Sequence, residues 1–241
     1  MSNKLKCPIC KTENAMVEVD VCQFCGSLEG MDLSIEIHNN VKKTMFGYDW
    51  GNGFGAPYKT NDGSVAYTTS KDLATMAFDN VPINNKTLVI DLGCGDAIIL
   101  RTAAKLYRCY GLGVDIDDHA VQDSQNLIKE ENLESLITIE KINFMNIDLL
   151  NYVKTKVQQL HCMEISTVII TAYLLPQLLE KLKPTFINML TSIENLALCI
   201  ICFKWNFGDI SKSKKTISVD EKDGYTIYSL QQKYKKTEDV F

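Results

Sequence analysis

The stretch Val89-Ile90-Asp91-Leu92-Gly93-Cys94-Gly95-Asp96 puts a carboxylate and two glycines where an apolar run gives way to helix-forming residues. A buried strand that ends in an acid and turns through glycine leaves its backbone open to close approach by a ligand. About twenty residues on, Gly113-Val114-Asp115-Ile116-Asp117 repeats the pattern, and an acid at a strand tip can accept both hydroxyls of a ribose. Two such tips side by side could grip one nucleoside. A dinucleotide turn, GxGxxG, uses its third glycine to bring a helix N-terminus against a pyrophosphate. Here that position is Ile98, and the helix opens on Asp96. A carboxylate there repels phosphate and suits a nucleoside carrying an ammonium or sulfonium charge, which describes S-adenosylmethionine.

A second constellation stands near the start of the chain, Cys7-Pro8-Ile9-Cys10 and Cys22-Gln23-Phe24-Cys25-Gly26. Each CxxC lets two thiolates converge on one ion from a single tight turn, and two turns complete a closed tetrahedral site. Zn2+ held by Cys7, Cys10, Cys22 and Cys25 would be structural, supplying folding energy that so short a segment cannot bury for itself. The same spacing also admits a pair of disulfides or an iron site of rubredoxin type. Cys199-Ile200-Ile201-Cys202 shares the spacing but sits in an apolar run, where cysteine behaves as a small hydrophobe. His38, His119 and His161 have no partner spacing for a metal or a triad.

The elements that must position these residues alternate. Ser70 caps a helix through Leu73, Met76, Ala77 and Phe78. A strand from Thr87 to Asp91 and a helix from Ala97 to Leu106 follow, then a strand from Gly111 to Asp115 and a helix from Ala120 to Glu130. Beyond these come strands Ile137 to Ile142 and Thr167 to Ala172, a helix Pro176 to Leu190, and strands Ala197 to Phe203 and Tyr225 to Lys233. Asp117 and Asp118 read as caps of the helix behind them. The pattern predicts an α/β, Rossmann-like, mostly parallel sheet with helices on both faces, plus a small N-terminal zinc-ribbon module. The expected organisation is a zinc ribbon over 1–28, a linker or N-terminal extension over 29–66, and the main domain over 67–241. The glycine- and aromatic-rich linker reads as a packed connector, with a mobile flap as the other reading.

Asp91-Leu92-Gly93-Cys94-Gly95 followed by Gly113-Val114-Asp115-Ile116 resembles the cofactor signature of class I S-adenosylmethionine-dependent methyltransferases, over residues from about Tyr67 to Phe207. The resemblance implies that Asp91, Gly93, Cys94 and Gly95 meet the methionine part of the cofactor, and that Asp115 and Ile116 meet its ribose. Asn143 and Phe144 stand where the family often has an acid and an apolar residue beside adenine, so the asparagine is a departure. Tyr67-Thr68-Thr69-Ser70, Thr171-Ala172-Tyr173-Leu174-Leu175-Pro176 and Leu182-Lys183-Pro184 resemble, more narrowly, small protein-lysine methyltransferases of the ATP synthase c-subunit type. That likeness adds Tyr67 and Thr69 to the cofactor site. Tyr173 is the catalytic candidate, orienting the acceptor, with Trp205 and Tyr67 as pocket walls; each competes with a reading as a plain core aromatic. The Asp/Asn-Pro-Pro-aromatic motif of base-amino methyltransferases is not matched at Thr171 to Tyr173.

A net charge of −5 disfavours global binding to nucleic acid, and Lys212, Lys214, Lys215, Lys233, Lys235 and Lys236 read as a solvated face. No apolar run is long enough to cross a bilayer and the start of the chain lacks a signal-peptide core, so an intracellular, cytoplasmic protein with reduced thiols is expected. The leading expectation is an enzyme that methylates a protein, a lysine first. An RNA methyltransferase is the second expectation, and the third is a non-catalytic protein that keeps the cofactor fold and works through its zinc module.

Overall fold

The computed structural model describes residues 58–59, 65–66, 69–160, 163–193, 196–208, 210 and 217–230. The knuckle cysteines Cys7, Cys10, Cys22 and Cys25 lie outside them, as do Tyr67, His38 and His161.

Short strands β1 (Tyr58–Lys59) and β2 (Val65–Ala66) pair antiparallel. Helix α1 (Lys71–Phe78) starts at Ser70, whose hydroxyl accepts the Leu73 N–H. Then come β3 (Thr87–Leu92), α2 (Ile98–Tyr107), β4 (Tyr110–Asp115), α3 (Asp118–Glu130) and β5 (Ile137–Lys141). Helix α4 (Leu149–Gln159), strand β6 (Thr167–Ala172), helix α5 (Pro176–Ser192) and strand β7 (Ala197–Phe203) continue the alternation. Strands β8 (Ile217–Lys222) and β9 (Tyr225–Leu230) close it as a hairpin.

The large sheet runs β5-β4-β3-β6-β7-β9-β8, parallel from β5 to β7 and antiparallel where β9 meets its two neighbours. Every residue of β3 and β6 is buried, as expected of central strands covered on both faces. Strand alternation divides the core. Leu88, Ile90, Val168 and Ile170 pack with α4 and α5, whereas Val89 and Ile169 pack with α1, α2 and α3. The same alternation separates Cys199 and Cys202, which are three apart and fully buried on opposite faces, so they cannot converge on one ion. The chain leaves β3 toward β4 on one side and reaches β6 on the other. The crevice at the carboxyl ends of β3 and β6 is thus a topological switch point.

Besides the short β1/β2 pair and a one-turn 3₁₀ helix, one helix and one strand of the main domain exceed the expected pattern. Helix α4 is capped by Asp148, whose carboxylate accepts the Asn151 N–H, and it buries Leu149 and Val153. Strand β8 pairs with β9 across Asp223-Gly224, where Gly224 takes φ +86°. Asp117 caps α3 as expected, accepting from the His119 and Ala120 N–H groups, but Asp118 is the first helical residue and pairs with Lys141 at 2.6 Å.

After β3 the backbone turns through Gly93 (φ +75°) and Gly95 (φ +54°), a left-handed region in which a side chain would be strained. The Gly93 and Cys94 N–H groups donate to the Val114 carbonyl at 2.8 and 3.1 Å, which pins the turn to the end of β4. A Cβ on Gly113 would stand 2.6 Å from Ile139 Cδ1 and 2.7 Å from Cys94 Sγ, so β4 supplies a glycine where the turn lies against it. Gly113→Ala is expected to cost about 1–3 kcal/mol in chemical unfolding. Adding Cys94→Ala should recover part of the loss, because it clears one of the two clashing atoms. Additive losses in the double variant would contradict this packing.

Candidate cofactor-binding site

Parallel pairing sets Asp91 of β3 opposite Gly113 of β4 on one side and Thr171 of β6 on the other. Asp91 is 2% exposed. Its Oδ1 accepts the Thr171 hydroxyl at 2.7 Å, and among the described residues no donor bonds its Oδ2. Burial pushes the Asp91 carboxyl up to about 7; the Thr171 hydrogen bond opposes this, and the negative charges of Asp115 and Asp96 add to it.

Asp115 ends β4 and is also buried. Its Oδ2 accepts the Gly95 N–H at 2.9 Å and its Oδ1 accepts the Asp117 N–H at 3.0 Å. Each oxygen keeps a second lone pair, so the carboxylate that shapes the turn can still accept from a ribose. The neighbouring Ile116 is 62% exposed, an uncovered apolar side chain beside a buried acid.

Asp96, expected to face a cationic ligand, turns away to its own helix. Its Oδ1 accepts the Ile98 N–H, and its Oδ2 lies 3.5 Å from Arg101. Arg101, itself buried, also donates to the Asp96 carbonyl and to Glu131 Oε1. Of the buried carboxyls at the strand tips, Asp91 is the one with an oxygen, Oδ2, that no donor bonds among the described residues. Cys94 is buried with its sulfur packed toward Gly113, and burial raises its thiol pKa, so it contributes backbone and volume.

The segment after β5 comes beside the tip of β4, with the Ile142 N–H donating to the Asp115 carbonyl at 2.8 Å. The side-chain oxygen of Asn143 accepts the Met145 N–H and caps a one-turn 3₁₀ helix, Phe144–Asn146. Phe144 is half-buried against the core on the α4 and α5 face. Thr69 is buried just before α1, and its hydroxyl makes no hydrogen bond among the described residues. Tyr67 lies outside the described residues.

On the far side of the crevice, Tyr173 follows β6 and Trp205 follows β7. Their rings stack at 5.8 Å between centroids and 28° between planes. Lys204, held at φ +62°, sets its ammonium 4.4 Å from the Trp205 ring centre, and its N–H donates to the Gly224 carbonyl in the β8/β9 turn. An open groove of about 740 Å³ runs along α5. It is lined by Pro176, Gln177, Glu180 and Lys183 on the helix and by Asn206 and Phe207 after β7.

From sequence, Thr171 enters only as the first residue of a motif, with no role of its own, and Arg101 does not enter at all. A threonine closing the apolar run Val168 to Ile170 is itself a signal, since a polar side chain inside a buried strand needs a partner.

Among known proteins, residues 66–199 match the family model for the ribosomal protein L11 methyltransferase, PrmA. The chain is 24% identical to a sterol 24-C-methyltransferase of Kluyveromyces lactis over 50% of its own length and 32% of that protein's. It is 28% identical to a protein-lysine N-methyltransferase of Saccharolobus islandicus over 42% of its length and 55% of the relative's. It thus spans between a third and just over half of these curated relatives. An RNA methyltransferase of Salinibacter ruber, solved with S-adenosyl-L-homocysteine, shares 18% identity at a TM-score of 0.49, covering 72% of this chain and 99% of that one. With the family model spanning more than half of its length, the chain belongs to the ribosomal protein L11 methyltransferase (PrmA) family.

Proposed function

We propose that the protein is an S-adenosylmethionine-dependent methyltransferase acting on a protein side chain, with a lysine amine as the favoured acceptor. The observation that carries the reading is the two-sided crevice at the switch point. Two buried carboxyl groups and a left-handed glycine turn stand on one side, and a stacked Tyr173–Trp205 pair stands on the other. The residues fit an adenosyl ligand with a cationic end. Among the described residues, Asp91 Oδ2 and Thr69 Oγ1 are polar atoms still short of partners, and exposed Ile116 offers an apolar contact beside Asp115. When bound, S-adenosylmethionine supplies a methyl group on a sulfonium, open to in-line displacement by a neutral amine nitrogen.

Asp115 and Ile116 would hold the ribose end. Gly93, Cys94 and Gly95 would offer backbone to the methionine end, and Asp91 would hold its positive charge. Asn143 and Phe144 would flank the adenine side, and Tyr67 and Thr69 the N-terminal side. Little acid–base machinery is needed, because alignment and exclusion of water supply most of the rate in such a transfer. Tyr173 would orient the acceptor nitrogen and, with Trp205, keep water from it. The groove along α5, between the residues that follow β6 and β7, would give a segment of protein chain room to lie. The family is named for a ribosomal protein, and the Saccharolobus relative for protein lysine, which supports a protein acceptor. A zinc ribbon over residues 1–28 would add a structural metal, with the methyltransferase domain over 67–241.

Incubation with radiolabelled S-adenosylmethionine and cell extract is expected to give label that protease removes. Label removed by RNase would contradict a protein acceptor. Tyr173→Phe is expected to lower kcat by about 10- to 100-fold while S-adenosylhomocysteine affinity holds, and full turnover in this variant would remove Tyr173 from the reaction. Metal analysis of the whole chain should find about one zinc per chain, lost on replacing Cys7 and Cys22 with serine; iron, or no metal, would overturn the zinc assignment.

A further inference from the structure

Thr171 is fully buried at the end of β6, directly opposite Asp91 in the parallel ladder. Its hydroxyl has one proton and two acceptors within reach, Asp91 Oδ1 at 2.7 Å and the Ile90 carbonyl at 3.4 Å. When Asp91 is ionised, the short bond goes to the carboxylate. When Asp91 is protonated, the hydroxyl can turn its proton to Ile90 and accept the carboxyl proton instead. The groups packed around Asp91 make ionisation costly. Asp115 at the tip of β4 and Asp96 in the glycine turn add negative charge to its surroundings, and the Cys94 thiol of that turn is near enough to feel the Asp91 charge. Arg101, the buried cation nearby on α2, is engaged by Asp96 and Glu131.

We propose that Thr171 is a positioning residue for cofactor binding, its hydroxyl holding Asp91 as a carboxylate whose open Oδ2 faces the cationic end of the ligand. This rests on the reading of the crevice as an S-adenosylmethionine site and adds a residue and a proton linkage to it. The sign follows from the environment. Burial raises the Asp91 carboxyl to about 7 and the Thr171 bond works against that rise, so losing the hydroxyl moves the titration upward. A neutral Asp91 attracts no cation, so ligand binding below the midpoint must expel a proton, and affinity falls as pH falls.

The test pairs two measurements on the full-length chain. One is calorimetric titration with S-adenosylhomocysteine, whose amino group stays cationic over the range, from about pH 5.5 to 8.5 in buffers of different ionisation enthalpy. The other is the carboxyl carbon resonance of Asp91 in the ligand-free protein. In the native protein, affinity is expected to fall toward about tenfold per pH unit below neutrality, with a proton released on binding. Thr171→Val should weaken binding by about 3- to 10-fold near pH 7, recover toward native affinity at pH 8.5, and raise the midpoint of the Asp91 resonance. Thr171→Ser should keep the native profile, and Asp91→Asn should flatten it.

An equal loss at every pH in Thr171→Val would mark a merely structural residue and overturn the proposal. So would an Asp91 resonance that titrates in the ordinary carboxylate range in the native protein. Failure of the native protein to bind S-adenosylhomocysteine at any pH would overturn the cofactor reading itself, and the inference with it. The resonance in the ligand-free protein tells these failures apart.

Discussion

The Asp115 carboxylate stitches two strand tips together, accepting the Gly95 N–H from the turn after β3 and the Asp117 N–H that leads into α3. Without it, the turn would bury backbone donors with no partner, a cost of about 1–3 kcal/mol for each such group. With it, the left-handed glycine turn is set before any ligand arrives. Gly113 completes the arrangement by letting Cys94 and Ile139 close over β4 where a methyl group would intrude. The crevice is therefore organised by backbone bonds to one acid, and its shape does not wait on substrate.

That organisation concentrates negative charge. Asp91 and Asp115 sit buried at neighbouring tips, with Asp96 in the turn between them, and the Arg101 guanidinium quenches Asp96 while also serving Glu131. The balance disfavours a pyrophosphate and favours a nucleoside with positive charge at its far end. Asp91 feels this most, since its single described hydrogen bond comes from a neutral hydroxyl. The strain on its ionisation is what couples the tip of β6 to the tip of β3.

The central frame was legible in the sequence because buried parallel strands write themselves as short apolar runs. Thr167–Ala172 and Ala197–Phe203 fall on their expected bounds, and Ser70 and Asp117 cap their helices as predicted. Helix α4 escaped, although Leu149, Val153 and Val157 recur at helical spacing, because its exposed face is polar and no glycine or proline marks its ends. Strand β8 escaped because alternation there is weak and its partner lies in a hairpin at the sheet edge. Side-chain direction was the harder matter. Asp96 turns back to Ile98 and Arg101, and Asn143 caps a helical turn, because each finds a backbone N–H two residues ahead. Neither outcome follows from residue type alone. The paired cysteines, Tyr67 and the linker apart from its β1/β2 pair lie outside the described residues, so their reading stands on sequence.

The Tyr173–Trp205 side of the crevice is built differently from the side of the two acids. Tyr173 and Trp205 meet through their rings, and Lys204 is held over Trp205 in a left-handed conformation anchored to the β8/β9 turn. An antiparallel hairpin at the sheet edge thus braces the wall that an acceptor would approach. The account turns on the adenosine lying between the tips of β3 and β4. A crystal structure of the protein grown with S-adenosylhomocysteine tests this directly. The expected result is a ribose on Asp115 with the amino-acid end against Asp91 and the Gly93–Gly95 backbone. A crevice left empty at saturating ligand, or a nucleoside bound elsewhere in the fold, would contradict it.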